Sequence, residues 1–525
     1  MNDSTSRLPR QLYRAQDVQQ LDKIAIEKHG IEGFKLMQRA GAVTFNSLLE
    51  QWPQTRHVRV FAGAGNNAGD GYVIARLAQE HGLHSEVIQV GDPESMQGDA
   101  RRALDWAMEI KVDMLSLADY MASDAVERND ESPNTVMVDA LLGTGLAREV
   151  SGTYAQAITH INDSKAAIVA VDIPSGLSAD TGMPLGTTVA ADLTVTYIGM
   201  KQGLLTGRGR DFAGRIVFSD LDIPETVYTN VDAPAVSATR LDINDATRHL
   251  QPRAITSHKS QHGHVVVVGG DFSYGGAVLL AAEAALRAGA GLVSVITRSV
   301  HRPAILARRP ELMVLGTEDE NVDIEALLSK ASAIAIGTGL GTGAWSRMLL
   351  QQALSAQSSF RIPLVIDADG LRLLAEKPAG TTGSKRNSWI LTPHPGEAAQ
   401  LLDCSIDEVQ QDRFAAVAAL QSKWGGCCLL KGSGSLICCM ESDAPKISLS
   451  TEGNPGMATA GMGDVLSGIA ASLLAQGLEP ADSLKCAVVI HGEAADLAMQ
   501  VAGPRGMLAS DLFPYIQRLV NPASL

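Results

Sequence analysis

The feature that most constrains this chain is one alternation that occurs twice. Short β-branched runs such as VRVFAG and HVVVVGG break into glycine-rich loops, and each loop leads into an alanine-rich helical stretch. The pattern holds from about Val58 to Val217, then resumes at His264 and continues nearly to the end. A strand that passes through a helix before the next strand pairs in parallel with it. The alternation therefore predicts an α/β chain with mainly parallel sheets covered by helices. Length alone, at ~150 residues per domain, would divide 525 residues into three or four units; the two blocks reduce that to two large domains. Between them LDIPETVYTNVDAPAVSATRLDIND carries two prolines and no sustained period, and reads as a linker or a peripheral extension. The glycine motifs of the halves differ in spacing, so the halves are not an internal repeat. Many of the 50 glycines fall where strands end, which is where ligands bind in sheets of this kind.

Composition narrows the function classes. With 43 Lys plus Arg against 58 Asp plus Glu, the formal charge is −15, so neither general nucleic-acid binding nor a polyanion surface is expected. Hydrophobic residues make up 45% of the chain, enough for large cores. No apolar run approaches the ~20 residues that span a bilayer, and MNDSTSRLPRQLYRAQ contains no apolar signal-peptide core. All six cysteines follow residue 400, four of them as the pairs Cys427-Cys428 and Cys438-Cys439. Without CxxC spacing these read as small buried apolar residues in two strands rather than as a zinc site. A cytoplasmic protein without membrane or nucleic-acid partners is the expectation.

In the first block, VRVFAG reads as a strand, YVIARLAQEHG as a helix, and GAGNNAGDG (residues 63–71) as the loop between them. Gly63, Gly65 and Ala68 fit the dinucleotide fingerprint, a weakly specific spacing. Asn66, Asn67 and Asp70 say more, because a plain turn needs glycine but not two amides and a carboxylate. In VMVDALLGTGLAREV, Asp139 ends a strand and Gly143-Thr144-Gly145 opens a loop; in IVAVDIPSGLSADTG, Asp172 and Ser175 stand at a third strand end. One such aspartate could equally be a helix cap. Three neighbouring loops instead gather carboxylate, amide and hydroxyl oxygens at one sheet edge, a donor set for a hard cation.

These segments resemble the motifs of the NAD(P)H-hydrate epimerase domain, a Rossmann-like family, over roughly residues 10–225. The resemblance implies that Asn66, Asn67, Ala68, Gly69 and Asp70 contact a hydrated nicotinamide nucleotide, together with Gly143, Thr144, Gly145, Leu146, Ala147, Arg148 and Glu149. It also implies that Asn67, Asp139 and Ser175 hold a potassium ion and that Asp172 lies at the reacting centre. The substrate carries a water-derived hydroxyl on C6 of the reduced ring. Inverting that carbon moves protons by either ring opening or loss and return of the hydroxyl, work suited to a strand-end carboxylate. Ala68 stands where the family usually has glycine; its methyl is harmless at negative φ and disruptive at positive φ.

The second block presents HVVVVGGDFSYGGAVLLAAEAALRAGAGLVSVIT, SAIAIGTGLGTG, PLVIDADGL, WILTPHPGEAAQLL and CCLLKGSGSLICC, ending in GNPGMATAGMGDVLSGIAASLL. The last is the most specific. Backbone N–H groups from Ala460 to Gly463 can converge on an anion at the positive end of the following helix. Asp464, in the first turn, can then accept a hydroxyl proton while the hole stabilises a transferred phosphoryl group. A simple cap does not account for four glycines in the eleven residues 453–463, and GxxxxGK[ST] is absent. His262, His264 and His491 read as structural or supporting residues.

Together these motifs resemble the ribokinase-like fold, and within it the ADP-dependent NAD(P)H-hydrate dehydratases, over roughly residues 240–525. The resemblance implies that Lys431, Gly432, Ser433, Gly434, Ser435 and Gly463 bind the adenine nucleotide, while Ala277, Gly339, His394 and Asp464 face the hydrate. It implies ADP as co-substrate and a magnesium ion bridging its phosphates. Thr338 replaces a customary proline, and Ala460 and Met462 replace glycine and threonine at the anion hole, leaving only backbone donors there. The expected architecture is a Rossmann-like three-layer sandwich over residues 1–225, a linker over 226–239 and a ribokinase-like three-layer sandwich over 240–525, in a homo-oligomer acting on hydrated NADH and NADPH. Two other readings stay open: a ribokinase-like kinase of a small alcohol or vitamin precursor, and a first block that serves only as a binding module.

Overall fold

The computed structural model describes residues 8–123, 134–378 and 386–521. They form two compact units that divide between Thr239 and Arg240.

In the first unit, strands β2 (His57–Ala62), β3 (His84–Gln89), β4 (Asp113–Ser116), β5 (Thr135–Ala140), β6 (Ala167–Val171), β7 (Leu193–Tyr197) and β9 (Arg215–Ser219) make one sheet. Its order is β4-β3-β2-β5-β6-β7-β9 and every pairing is parallel. The order reverses between β2 and β5, and a crevice opens there at the carboxyl ends of the strands. Side chains alternate across the sheet: Val58, Val60 and Ala62 enter one buried cluster, whereas Phe61 enters the other. Two cores on two faces make a three-layer sandwich. Short strands β1 (Gln11–Tyr13) and β8 (Met200–Lys201) pair in parallel, and β10 (Ala238–Arg240) pairs antiparallel with β1, Gln11 opposite Thr239. Leu221, Ile223 and Val227 are buried in the first unit's core, so this stretch packs as an extension of that unit.

The second unit is built on β11 (His264–Val268), β12 (Leu292–Thr297), β13 (Met313–Gly316), β14 (Ala333–Ile336), β15 (Leu364–Ile366), β16 (Trp389–Leu391), β17 (Cys427–Leu430), β18 (Ser435–Glu441) and β19 (Ala444–Ser450), in the order β13-β12-β11-β14-β15-β16-β17-β18-β19. Pairing is parallel through β17, then antiparallel to β18 and β19. Val265 and Val267 join the large core beneath helix Met462–Ala475, while Val266 and Val268 are buried on the opposite face. That helix is apolar nearly all round, as a central helix must be. The cysteine pairs behave as the sequence indicates: all four are free, buried, and lie in β17 and β18.

One local expectation changes. The segment read as a loop over residues 63–71 is helical from Asn66, the start of helix Asn66–Glu80. Its glycines serve packing: a Cβ on Gly69 would meet Met37 Cε at 2.6 Å, and one on Gly71 would meet Ala140 Cβ at 2.6 Å. Ala68, inside this helix and fully buried, has an ordinary backbone, so its methyl is accommodated.

Candidate active sites

A cleft of about 770 Å³ opens at the strand ends of the first unit. Asn66, Asn67 and Asp70 line it from the helix after β2; Gly143, Thr144, Gly145, Leu146, Ala147 and Arg148 line it from the loop after β5. Asp172 enters from the end of β6. Ala68 and Gly69 face the core instead, and exposed Glu149 packs beside Gly186, so these three expected contacts are not brought to the wall.

Asp172 holds a left-handed backbone, φ +66°, where a non-glycine residue is strained. Its N–H donates to Val195 O at 2.7 Å. Its Oδ1 accepts from Lys201 Nζ, from Tyr197 N at 3.3 Å and from Thr196 Oγ1 at 3.3 Å. Lys201 Nζ also donates to Thr196 Oγ1 at 3.1 Å and Tyr197 O at 3.0 Å, so the fully buried ammonium is satisfied on all sides. Asp172 Oδ2 takes part in none of these bonds. The wall also carries Asp22 from helix Ala15–Glu27 and Tyr197, whose hydroxyl contacts Thr44 Oγ1. Sequence reasoning missed Lys201, Asp22 and Tyr197, which lie outside any glycine motif. Burial, then Asp172, pushes the Asp22 carboxyl upward.

Asp139 is fully buried, and burial pushes it up to about 6 against hydrogen bonds from Ser175 and Leu141. Ser175 Oγ donates to Asp139 Oδ1 at 2.5 Å and Ser175 N to Asp139 Oδ2 at 2.7 Å. The Leu142 carbonyl lies 3.1 Å from the same hydroxyl. Buried Asn67 has neither amide atom in a hydrogen bond. A buried amide without partners is costly, and amide, carboxylate and hydroxyl oxygens such as those of Asn67, Asp139 and Ser175 are of the type that suits a hard cation.

In the second unit the strand-end loops converge on Asp367, which follows β15. Its Oδ1 accepts from Lys431 Nζ at 2.7 Å and its Oδ2 from Ser467 Oγ at 2.8 Å. Burial works against the Lys431 charge, but Asp367 and Glu397 outweigh it and hold the ammonium above its usual pKa. Gly463 packs closely on this pair: a Cβ there would lie 3.3 Å from Lys431 Nζ, tight enough that the ammonium would have to shift slightly, and 3.4 Å from Asp367 Oδ2. Asp464 follows in the first turn of helix Met462–Ala475; burial, then Asp367, pushes it up to about 7. Gly461, φ +89°, turns the chain into that helix. The structure thus places Lys431, Gly463 and Asp464 together.

Across the loops, Gly339 (φ +58°) packs on Ala277, a Cβ at Gly339 lying 3.1 Å from Ala277 Cβ. His394 caps helix Pro395–Leu402: its Nδ1 accepts from Gly396 N at 3.0 Å, while Glu397 Oε2 accepts from His394 N at 2.9 Å. The ring is half exposed, and burial, then Lys431, lowers its pKa. Gly432, φ +145°, begins the loop that ends at Ser435, whose hydroxyl donates to Gly432 O at 3.1 Å. Ser433 and Gly434 lie between them. Arg413, also missed, donates from inside to Leu430 O and Lys431 O at 3.3 Å each and fixes where this loop starts. His491 is buried, and burial, then Lys431, lowers it to about 4. His262 lies near Ser257 and His264 near Ser294.

A doubly wound parallel sheet with a lysine–aspartate pair in its crevice, followed by a second sheet whose loops gather a carboxylate and an ammonium at a helix N-terminus, defines a two-unit α/β enzyme that handles nucleotides. Residues 33–203 match the family described as YjeF-related protein N-terminus, and residues 265–518 match the NAD(P)H-hydrate dehydratase family. The bifunctional NAD(P)H-hydrate repair enzyme of Coxiella burnetii is 42% identical over 97% of this chain and 99% of its own. That of Escherichia coli is 40% identical over 99% of this chain and 96% of its own. Among solved structures, a ribokinase-like superfamily protein from Enterococcus faecalis is 30% identical, with a TM-score of 0.50, covering 55% of this chain and 97% of its own. This chain belongs to the family of bifunctional NAD(P)H-hydrate repair enzymes.

Proposed function

We infer that residues 1–225 epimerise the R and S hydrates of NADH and NADPH, and that residues 240–525 dehydrate the S hydrate with ADP, giving NAD(P)H, AMP and phosphate. In the second unit the C6 hydroxyl attacks the terminal phosphoryl group of ADP, its proton passing to Asp464, and AMP leaves. Phosphate then departs from C6 with its bonding electrons while C5 loses a proton, which restores the ring double bond. The observation that carries this reading is the Asp464 carboxyl, pushed to about 7 on the first helical turn beside Gly463 and Lys431, a base matched to neutral pH next to an anion hole. Lys431 neutralises charge on the transferred group, and the loop from Gly432 to Ser435 receives the nucleotide. In the first unit Asp172 is the acid–base group, with Asn66, Asn67 and Asp70 and the loop Gly143–Arg148 around the nucleotide.

Asn67, Asp139 and Ser175 fit a potassium ion, because the Asn67 amide is buried without a partner; such an ion supplies positive charge for the substrate's phosphates. Among the described residues no group of three or more His, Cys, Asp or Glu is placed to hold a metal unaided. A magnesium ion carried in by the nucleotide needs only one or two protein carboxylates, and Asp369 can supply one. No helix among the described residues is long and apolar enough to cross a membrane; a cytoplasmic location and homo-oligomeric assembly belong to the same reading, the latter checked by light scattering. The deciding assay mixes the protein with hydrated NADH and ADP and follows the absorbance of restored NADH. No recovery, alongside phosphorylation of a vitamin alcohol, would replace this reading with that of a small-alcohol kinase.

A further inference from the structure

The first-unit cleft contains more carboxyl groups than the two cations that line it, Lys201 and Arg148, can balance. Asp70 reaches it from helix Asn66–Glu80, Asp172 from the end of β6, Asp22 from helix Ala15–Glu27 and Asp99 from helix Gly98–Glu109. Lys201 is committed to Asp172 Oδ1; Arg148 comes from the loop after β5, and Tyr197 lines the same cleft. Like charges so confined do not all ionise, and one carboxyl keeps its proton. Asp70 is that group: burial, then Asp172 and Asp22, push it well above the ordinary carboxylate range. The cleft therefore offers a proton-bearing acid on one wall and, on another, an aspartate whose Oδ2 is left open by its bonds to Lys201, Thr196 and Tyr197.

We propose that Asp70 is the general acid of the epimerase centre, and that inversion proceeds by loss and return of the hydroxyl rather than by ring opening. The inference rests on the epimerase reading above and assigns that site a second catalytic group. Asp70 gives its proton to the C6 hydroxyl oxygen. The C–O bond breaks with its electron pair going to oxygen, water leaves, and the N1 lone pair forms an N1=C6 bond, so the ring becomes a cation and Asp70 a carboxylate. Water then adds to the other face of C6, the π pair returns to N1, and Asp172 Oδ2 takes the proton released. The two carboxyls finish with exchanged protonation, which readies the pair for the reverse inversion, and solvent exchange resets it. A cleft rich in carboxyl groups suits this route, since its intermediate is a cation, whereas ring opening, which moves a proton from the hydroxyl to N1, gives an uncharged aldehyde and enamine.

The experiment uses the full chain with purified R hydrate, no ADP, and oxygen-18 water. The expected result is one labelled oxygen at C6 for each inversion in the first turnovers. Asp70→Asn should slow both inversion and label uptake about 100-fold or more with little change in KM, and Asp70→Glu should restore part of the rate. The wild-type rate should fall at high pH, and Asp70→Asn should lose that limb of the profile. Inversion without label uptake, or Asp70→Asn within threefold of wild type, would overturn the proposal while leaving the epimerase standing. Wild-type protein that never inverts the R hydrate would overturn both.

Discussion

Lys431 Nζ lies 2.7 Å from Asp367 Oδ1, and the other oxygen of the same carboxylate accepts the Ser467 hydroxyl at 2.8 Å. Two separate elements thus satisfy one buried carboxylate, and the ammonium is held beneath the first turn that carries Asp464. Truncating the lysine strands the carboxylate. Lys431→Met is expected to lower dehydratase kcat/KM by about 100-fold or more and to destabilise the second unit by about 3 kcal/mol, the lower end for a broken buried pair because Lys431 keeps some exposure. Adding Asp367→Asn should recover part of the stability but not the activity. Steady-state kinetics and thermal unfolding of the single and double variants check both.

Asp464 gives the pH dependence a sign. Its carboxyl rises from 3.8 to about 7 in the folded chain, so at low pH it is protonated and cannot accept the hydroxyl proton. Dehydratase kcat should fall as pH drops through about 7. Stability runs the other way. A group whose folded pKa is raised stabilises fully below the unfolded value, and that contribution is lost as pH rises from about 4 to 7. Asp464→Asn should therefore be inactive yet unfold at a higher temperature than wild type at pH 8, by at most about 4 kcal/mol, with the difference vanishing near pH 4. Scanning calorimetry at the two pH values reads this directly.

Asp172 and Lys201 should behave as a unit confined to the first domain. Asp172→Ala is expected to abolish R-hydrate epimerisation and leave S-hydrate dehydration intact. Lys201→Met should lower epimerisation about 100-fold, because it removes the cation that orients Oδ1 and leaves the aspartate unpaired. Assaying each pure epimer separately tells the two activities apart; persistence of R conversion in Asp172→Ala would refute the assigned role.

Groups that stand beside glycine loops were legible in the sequence: Asp139 and Asp172 each follow a short apolar run with a turn signal behind it, and Asp464 ends a glycine-rich run that opens a helix. Lys201, Asp22 and Arg413 were not. They lie in a two-residue strand and two ordinary helices, and only tertiary folding carries them to the sites. The start of helix Asn66–Glu80 was misread for another physical reason. Glycine signals a loop by its backbone freedom, yet Gly69 and Gly71 are there because neighbouring side chains occupy the space a Cβ would need. Nothing local distinguishes the two uses.

That distinction is measurable. A Cβ on Gly71 would meet Ala140 Cβ at 2.6 Å and Val60 Cγ1 at 2.9 Å, whereas one on Gly65 would meet nothing within 4 Å. Gly71→Ala should destabilise the first unit by about 1–3 kcal/mol through overpacking. Gly65→Ala, at a position with negative φ (−104°), should unfold within about 0.5 kcal/mol of wild type. Denaturant melts of both variants, followed in the first unit, would separate a packing glycine from a turn glycine.

The unpartnered Asn67 amide, proposed with Asp139 and Ser175 as a cation site, predicts a response to potassium that only the first unit shows. An ion that binds the folded site and not the unfolded chain should raise the unfolding temperature of that unit by mass action as its concentration rises. Tetramethylammonium, too large for a pocket of buried oxygens, should give no such rise. Epimerisation should fall about 10-fold when potassium is replaced, while dehydration of the S hydrate at constant magnesium should not change. Asn67→Ala should abolish the thermal response along with the dependence of epimerisation on potassium, since it removes the amide oxygen proposed as a ligand. A shift that survives Asn67→Ala, or one that tetramethylammonium reproduces, would show that the amide is buried for another reason.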